Sequence, residues 1–169
     1  MANLEPLIQS IPVAPLKLAS LEGCRTLADQ VNNYLVSFRH ESPTNVGQAD
    51  SLQGYCADSY LLECECPRFG SGEGKGVLKE SVRGCDLFIM VDVTNYSLTY
   101  RVNGYENHMS PDNHYQDLKR IISAADGKAR RINVIMPFLY EGRQHKRSKR
   151  ESLDCCLLYT SDAADDMQC

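Results

Sequence analysis

No apolar run in these 169 residues approaches the ~20 that a membrane-spanning helix needs. Glu5 stands early and no basic stretch precedes an apolar segment, so no secretory leader is expected. Charge of one sign is also lacking. Eighteen Lys and Arg face 22 Asp and Glu, a formal net charge of −4. That balance does not call for a polyanionic partner over the whole surface. No Cys-x-x-Cys pair occurs among the eight cysteines. Cys24, Cys56 and Cys85 are isolated, and Cys64 and Cys66 are two apart. Zinc-site spacing is therefore missing, and free thiols of a reducing cytoplasm are expected. The glycine-rich run Gly70–Gly76 fits neither common phosphate fingerprint. Gly74-Lys75 is followed by Gly76 where a Walker loop needs Ser or Thr. Counted from Gly70, the last position of a dinucleotide Gly-x-Gly-x-x-Gly falls on Lys75.

What is present is concentrated between Arg131 and Glu151. The segment opens as an apolar run, Ile132 to Leu139, and closes as a cationic loop. Parallel strands buried on both faces read as unbroken apolar runs. Open α/β sheets take ligands beyond the carboxyl ends of their strands. Six of the eight residues from Arg143 to Arg150 are Arg, Lys or His. Guanidinium forks suit phosphate oxygens, and ammonium groups supply point charge. A phosphate-bearing ligand is one reading. A solvated basic surface loop is the other.

The remaining chain reads as alternating strands and helices. Residues 13–19 suggest a short strand. Ser20 can cap a helix over 21–37, where Leu21, Cys24, Ala28, Val31 and Leu35 recur at helical spacing. Residues 41–56 and 94–109 are polar and read as loops or insertions. Tyr60–Cys66 and Cys85–Val93 read as strands, and 76–79 can begin another. Ser110, then Pro111, then Leu118, Ile121, Ile122 and Ala125 on one face describe a capped helix that Gly127 stops. The strands at 85–93 and 132–138 should then lie parallel and close together, with that helix on one face. His114, at the start of the helix, takes a structural reading.

Two blocks carry a family resemblance. Tyr140-Glu-Gly-Arg143-Gln144, with Pro137 before it and basic residues after it, resembles the nucleotide loop of ribose-phosphate pyrophosphokinases. Arg68-Phe-Gly-Ser-Gly-Glu73, followed by Glu80-Ser-Val-Arg-Gly84, is similar to that family's Arg-Phe-Ser-(Asp/Asn)-(Gly/Gln)-Glu and Glu-Ser-Val-Arg-Gly. The resemblance covers about residues 15–155. It implies an α/β fold of three layers, with a mostly parallel sheet of the phosphoribosyltransferase-like type, here incomplete. It implies a reaction in which the ribose 5-phosphate C1 hydroxyl attacks the β-phosphorus of Mg-ATP, giving phosphoribosyl pyrophosphate and AMP.

By the same resemblance, Arg143 binds the triphosphate and Gln144 positions the nucleotide. Phe69, Ser71 and Glu73 reach the adenine of a neighbouring subunit, which implies a homo-oligomer. Phe69 packs on the purine, and Glu73 or Ser71 accepts from its amino group. Packing in its own core is the alternative role for Phe69. Ser71 stands where the family has Asp or Asn, and His145 replaces an Asp. Mg2+ and ATP are the implied cofactor and substrate, with no metal ligand or catalytic residue assigned here. The Asp-Asp-x-x-x-(Thr/Ser)-Gly loop that would hold the pentose phosphate is missing from 1–155. The chain alone is therefore expected to be inactive. A non-catalytic regulatory relative is the alternative, and a nucleic-acid module fits worst, because stacking aromatics are not gathered in the basic loop. Residues 156–169 resemble a translated sequencing-adapter end, so the pyrophosphokinase-like domain is expected to occupy 1–155 and the rest to be a non-native tail.

Overall fold

The computed structural model describes residues 14–41, 54–143, 146 and 149–154. Strand β1 is Leu16–Ser20. A 3-10 turn at Glu22–Cys24 leads into helix α1, Arg25–Glu41. The short strands β2, Leu61–Leu62, β3, Cys64–Glu65, and β4, Val77–Leu78, follow. Then come β5, Asp86–Met90, β6, Thr99–Val102, and β7, Tyr105–His108. Helix α2, Pro111–Ala125, leads to β8, Arg131–Ile135.

The main sheet has the order β2-β1-β5-β8, and all its pairs are parallel. β5 and β8 are direct neighbours, with Leu87 opposite Ile132 and Ile89 opposite Val134. The expected parallel pairing of these two segments holds, with α2 between them in sequence. Side chains alternate across the sheet, so each strand feeds both faces. Leu87, Ile89 and Val91 pack with Leu118, Ile121 and Ala125 of α2. Leu18 and Met90 pack with Cys24 and Ala28 at the start of α1. The layers are therefore helix, parallel sheet, helix.

Several elements differ from the sequence reading. Ser20 does not cap α1; its hydroxyl donates to Leu21 O, and the helix starts only at Arg25 after the 3-10 turn. Tyr60–Cys66 is not one strand. Leu61–Leu62 joins the main sheet, while Cys64–Glu65 pairs antiparallel with β4. β8 is the sheet edge rather than a doubly buried strand. Val134 and Ile135 stay 42% and 37% exposed, since no further strand lies outside β8 among the described residues. Residues 99–108 are not a loop but an antiparallel hairpin. Its turn is Asn103-Gly104, both at positive φ (51° and 85°), as a two-residue hairpin turn of the primed kind requires. That dipeptide was a legible hairpin signal. Most of the 41–56 loop, and all of 156–169, lie outside the described residues.

The α2 boundaries follow from capping. Ser110 Oγ accepts from Asn113 N at 3.2 Å, and Pro111 occupies the first turn. At the far end Asp126 takes the left-handed conformation, and Gly127 does so after it, so the stop begins one residue earlier than glycine alone suggests. No helix of the described residues is long and apolar enough to cross a membrane.

Candidate functional site

A cavity of about 540 Å3 opens beyond the carboxyl ends of β1 and β5. Leu21, Cys66, Arg68, Leu98, Tyr100 and His114 are among its walls. One wall is the hairpin arm β6. The floor is fixed by backbone bonds at the strand ends: Leu21 N donates to Met90 O at 3.0 Å and Val91 N to Ile135 O at 3.0 Å. Two side-chain turns carry the chain out of β5. Asp92 Oδ1 accepts from Thr94 N at 2.8 Å, and Asn95 Oδ1 accepts from Ser97 N at 3.1 Å. His114, 1% exposed, places Nε2 2.8 Å from Asn95 O. The carbonyl can only accept, so Nε2 is the protonated nitrogen. His114 therefore ties this exit loop to α2, which is the structural role read from the sequence.

A charge cluster borders the cavity, with Arg68 and Asp117 in its lining. Asp117 takes Arg68 on one oxygen at 2.7 Å and Arg120 on the other at 2.6 Å. The three side chains are only 6%, 9% and 19% exposed. One carboxylate thus neutralises one of two guanidiniums, and the cluster keeps a net positive charge. The Tyr100 ring lies 5.1 Å below the Arg68 guanidinium, close enough for cation–π attraction. Sequence reasoning missed Asp117, Arg120 and Tyr100. Asp117 has a local signal, because a carboxylate three residues before Arg120 on one helix can pair with it. Its partner Arg68, 49 residues away, has none.

The glycine loop hangs from this cluster. Phe69 N donates to Glu73 O at 2.7 Å, and Gly72 N to Phe69 O at 2.9 Å. Arg68 and Gly74 form a bridge across its base. Gly72 has φ +91°, a conformation side-chain residues rarely adopt. Phe69 is 55% exposed, so core packing is not its role. Ser71 Oγ donates to Glu73 Oε2 at 2.8 Å. The hydroxyl thereby holds the Glu73 carboxylate and leaves that residue as the outward acceptor.

The cationic loop is anchored separately. Tyr140 stacks on Tyr115 with ring centroids 4.4 Å apart, and its hydroxyl donates to Asp112 in the first turn of α2. Burial, then the Asp112 carboxylate, pushes the Tyr140 phenol well above its usual range, so it stays a donor. Glu141 is left-handed at φ 58°. Arg143 is exposed, with its guanidinium 5.9 Å from the Phe138 ring. Gln144 and His145 lie outside the described residues. Phe69, Ser71 and Glu73 share one loop. Among the described residues no hydrogen bond or ring contact joins that loop to Arg143.

No group of three or more His, Cys, Asp or Glu among the described residues could hold a metal ion. Cys64 and Cys66 both line the cavity. Burial raises their thiols to about 11 and about 12, with Asp117 next in importance for Cys66, so neither is poised as a nucleophile.

A layered α/β unit with a parallel sheet and its loops and cavity at the carboxyl end is a doubly wound domain that resembles the phosphoribosyltransferase-like fold. The comparisons agree. Phosphoribosylpyrophosphate synthetase from Mycobacterium smegmatis superposes with a TM-score of 0.51 at 23% identity, over 85% of this chain and 37% of that one. The ribose-phosphate pyrophosphokinases of Corynebacterium ammoniagenes and Bacillus cereus are each 30% identical over 135 residues, 79% of this chain. The match spans about a third of those relatives, 31% of their length. The family described as the N-terminal domain of ribose phosphate pyrophosphokinase matches residues 16–161. The chain belongs to that family.

Proposed function

We propose that this chain carries the nucleotide half of a ribose-phosphate diphosphokinase, and that its parent protein transfers diphosphate from Mg-ATP to ribose 5-phosphate. The observation that carries the reading is the placement of Arg143. It stands eight residues after the last residue of β8, Ile135, in a loop pinned by Tyr140 to the start of α2. A guanidinium on such a loop can fork two phosphate oxygens. Gln144, its neighbour, would orient the nucleotide. Phe69, Ser71 and Glu73 would serve the adenine bound to a neighbouring copy: the ring is outward, and the Glu73 carboxylate, held by Ser71, would accept from an exocyclic amine. Mg2+ would arrive on the triphosphate, held by phosphate oxygens, and would neutralise charge as the diphosphoryl group moves.

In this reading residues 1–155 form the pyrophosphokinase-like unit and 156–169 are a non-native tail, of which the family match takes in the first six residues, 156–161. The pentose-phosphate loop is absent from that unit, so the chain alone binds ATP and does not turn over. A non-catalytic regulatory parent is the second reading. The β6–β7 hairpin favours it, because it is built in the segment 94–109 that reads as a loop or insertion in the sequence.

ATP titration by calorimetry tests the reading. Arg143→Ala should weaken binding roughly tenfold to hundredfold, since a hydrogen bond to a charged group is worth about 1.5–3 kcal/mol. Unchanged affinity would remove the loop from the nucleotide site. Release of AMP on adding ribose 5-phosphate to this chain would overturn the half-site assignment.

A further inference from the structure

We infer that the β6–β7 hairpin is a positioning device for the glycine loop 69–74, with Tyr100 and Val102 as the positioning residues. Tyr100 and Val102 are two apart on β6 and share one face of the hairpin. Both are half-buried, while Thr99 and Arg101 on the other face are exposed. Tyr100 places its ring against the Arg68 guanidinium, the residue that enters the loop. Val102 approaches the loop's centre: a Cβ at Gly72 would meet Val102 Cγ2 at 3.3 Å. The loop is thus touched at its base and at its left-handed turn by one rigid arm.

The arm is itself fixed at its root. Met109 N donates to Leu98 O at 2.8 Å, and the Tyr96 ring stacks on His108 with centroids 4.6 Å apart. His114 then ties Asn95 O to α2. Arg68 already ties the base of the loop to α2 through Asp117, and the hairpin adds a second hold, at Gly72, that the internal backbone bonds and the Arg68–Gly74 bridge do not supply. Its two-residue Asn-Gly turn keeps the arm short and fixes its register. The consequence for ligand binding rests on the nucleotide role proposed above for Phe69 and Glu73. The positioning itself does not.

Amide hydrogen exchange on the full chain separates these claims. In Tyr100→Ala/Val102→Ala, protection of the Phe69 and Gly72 amides should fall roughly tenfold, from loss of one cation–π contact and one apolar contact. The amides of residues 87–91 should keep their protection. Tyr100→Phe retains the ring and should leave the loop protected. Where the parent chain binds ATP, the double variant should weaken that binding about fivefold, with the core amides unchanged. Loop protection unchanged in the double variant would overturn the inference. Equal loss in loop and core would also overturn it, because the hairpin would then support the domain and not the loop. An absence of ATP affinity in the unsubstituted chain sinks only the nucleotide reading, and the exchange result still decides the positioning.

Discussion

Replacing Asp117 by Ala should lower the thermal midpoint by about 10 °C. Asp117 is the sole carboxylate hydrogen-bonded to Arg68 and Arg120 among the described contacts. All three side chains are largely withdrawn from water. Truncation leaves two guanidiniums facing each other with no counter-charge. Breaking a buried pair in this way costs about 3–5 kcal/mol. Each ~1 kcal/mol moves the midpoint of a domain this size by a few degrees. The cost comes from the stranded charge more than from the lost attraction. Replacing the whole trio, as Arg68→Met, Asp117→Leu and Arg120→Met, should therefore recover most of the stability. Scanning calorimetry of the single and triple variants decides this. A single variant within about 2 °C of the parent would mean that water reaches the guanidiniums and that the cluster has no structural weight.

Gly76→Ala should cost roughly 1–3 kcal/mol, by a different mechanism. A Cβ at Gly76 would lie 2.4 Å from Arg120 O and 2.5 Å from its carbonyl carbon. Those atoms belong to the backbone of α2, so no rotamer change relieves the clash. Strand β4, which starts at the next residue, would have to move off the helix. The internal control is Gly70→Ala in the same loop, where no atom lies within 4 Å of the added carbon. It should change stability by no more than about 0.5 kcal/mol. Urea denaturation of both variants gives the comparison. Equal stability of the two would show that α2 and β4 are not in contact as described. Since β4 continues directly from the glycine loop, Gly76→Ala should also loosen residues 69–74, and Gly70→Ala should not.

The elements that were legible in the sequence share one property: their signal is local. The apolar runs at 85–93 and 132–139 named two strands, and Ser110-Pro111 marked a helix start to the residue. A buried run, a capped helix and a second run leave little choice but parallel neighbours joined by a right-handed crossover. The family motifs then pointed to the Phe69–Glu73 and Arg143 loops. The Asn103-Gly104 turn is equally local, but the Tyr-rich strands beside it lack a clear apolar alternation, so the segment reads as a loop.

What the sequence by itself determined is the α/β order, the ends of α2, the parallel pairing of β5 with β8 and the family. Each follows from steric and capping rules that act within a few residues, or from motifs that are contiguous. Only the tertiary structure decided that Tyr60–Cys66 divides between two sheets, that β8 is an edge, and that Arg68 and Arg120 share one carboxylate. It alone brought Tyr100 and Val102 against the glycine loop. The contacts of Arg68 with Asp117, of Tyr100 with Arg68 and of Val102 with Gly72 join residues roughly 30 to 50 positions apart. The partner of a buried charge is chosen by where the sheet and helices bring it, and chain-local periodicity holds no record of that choice.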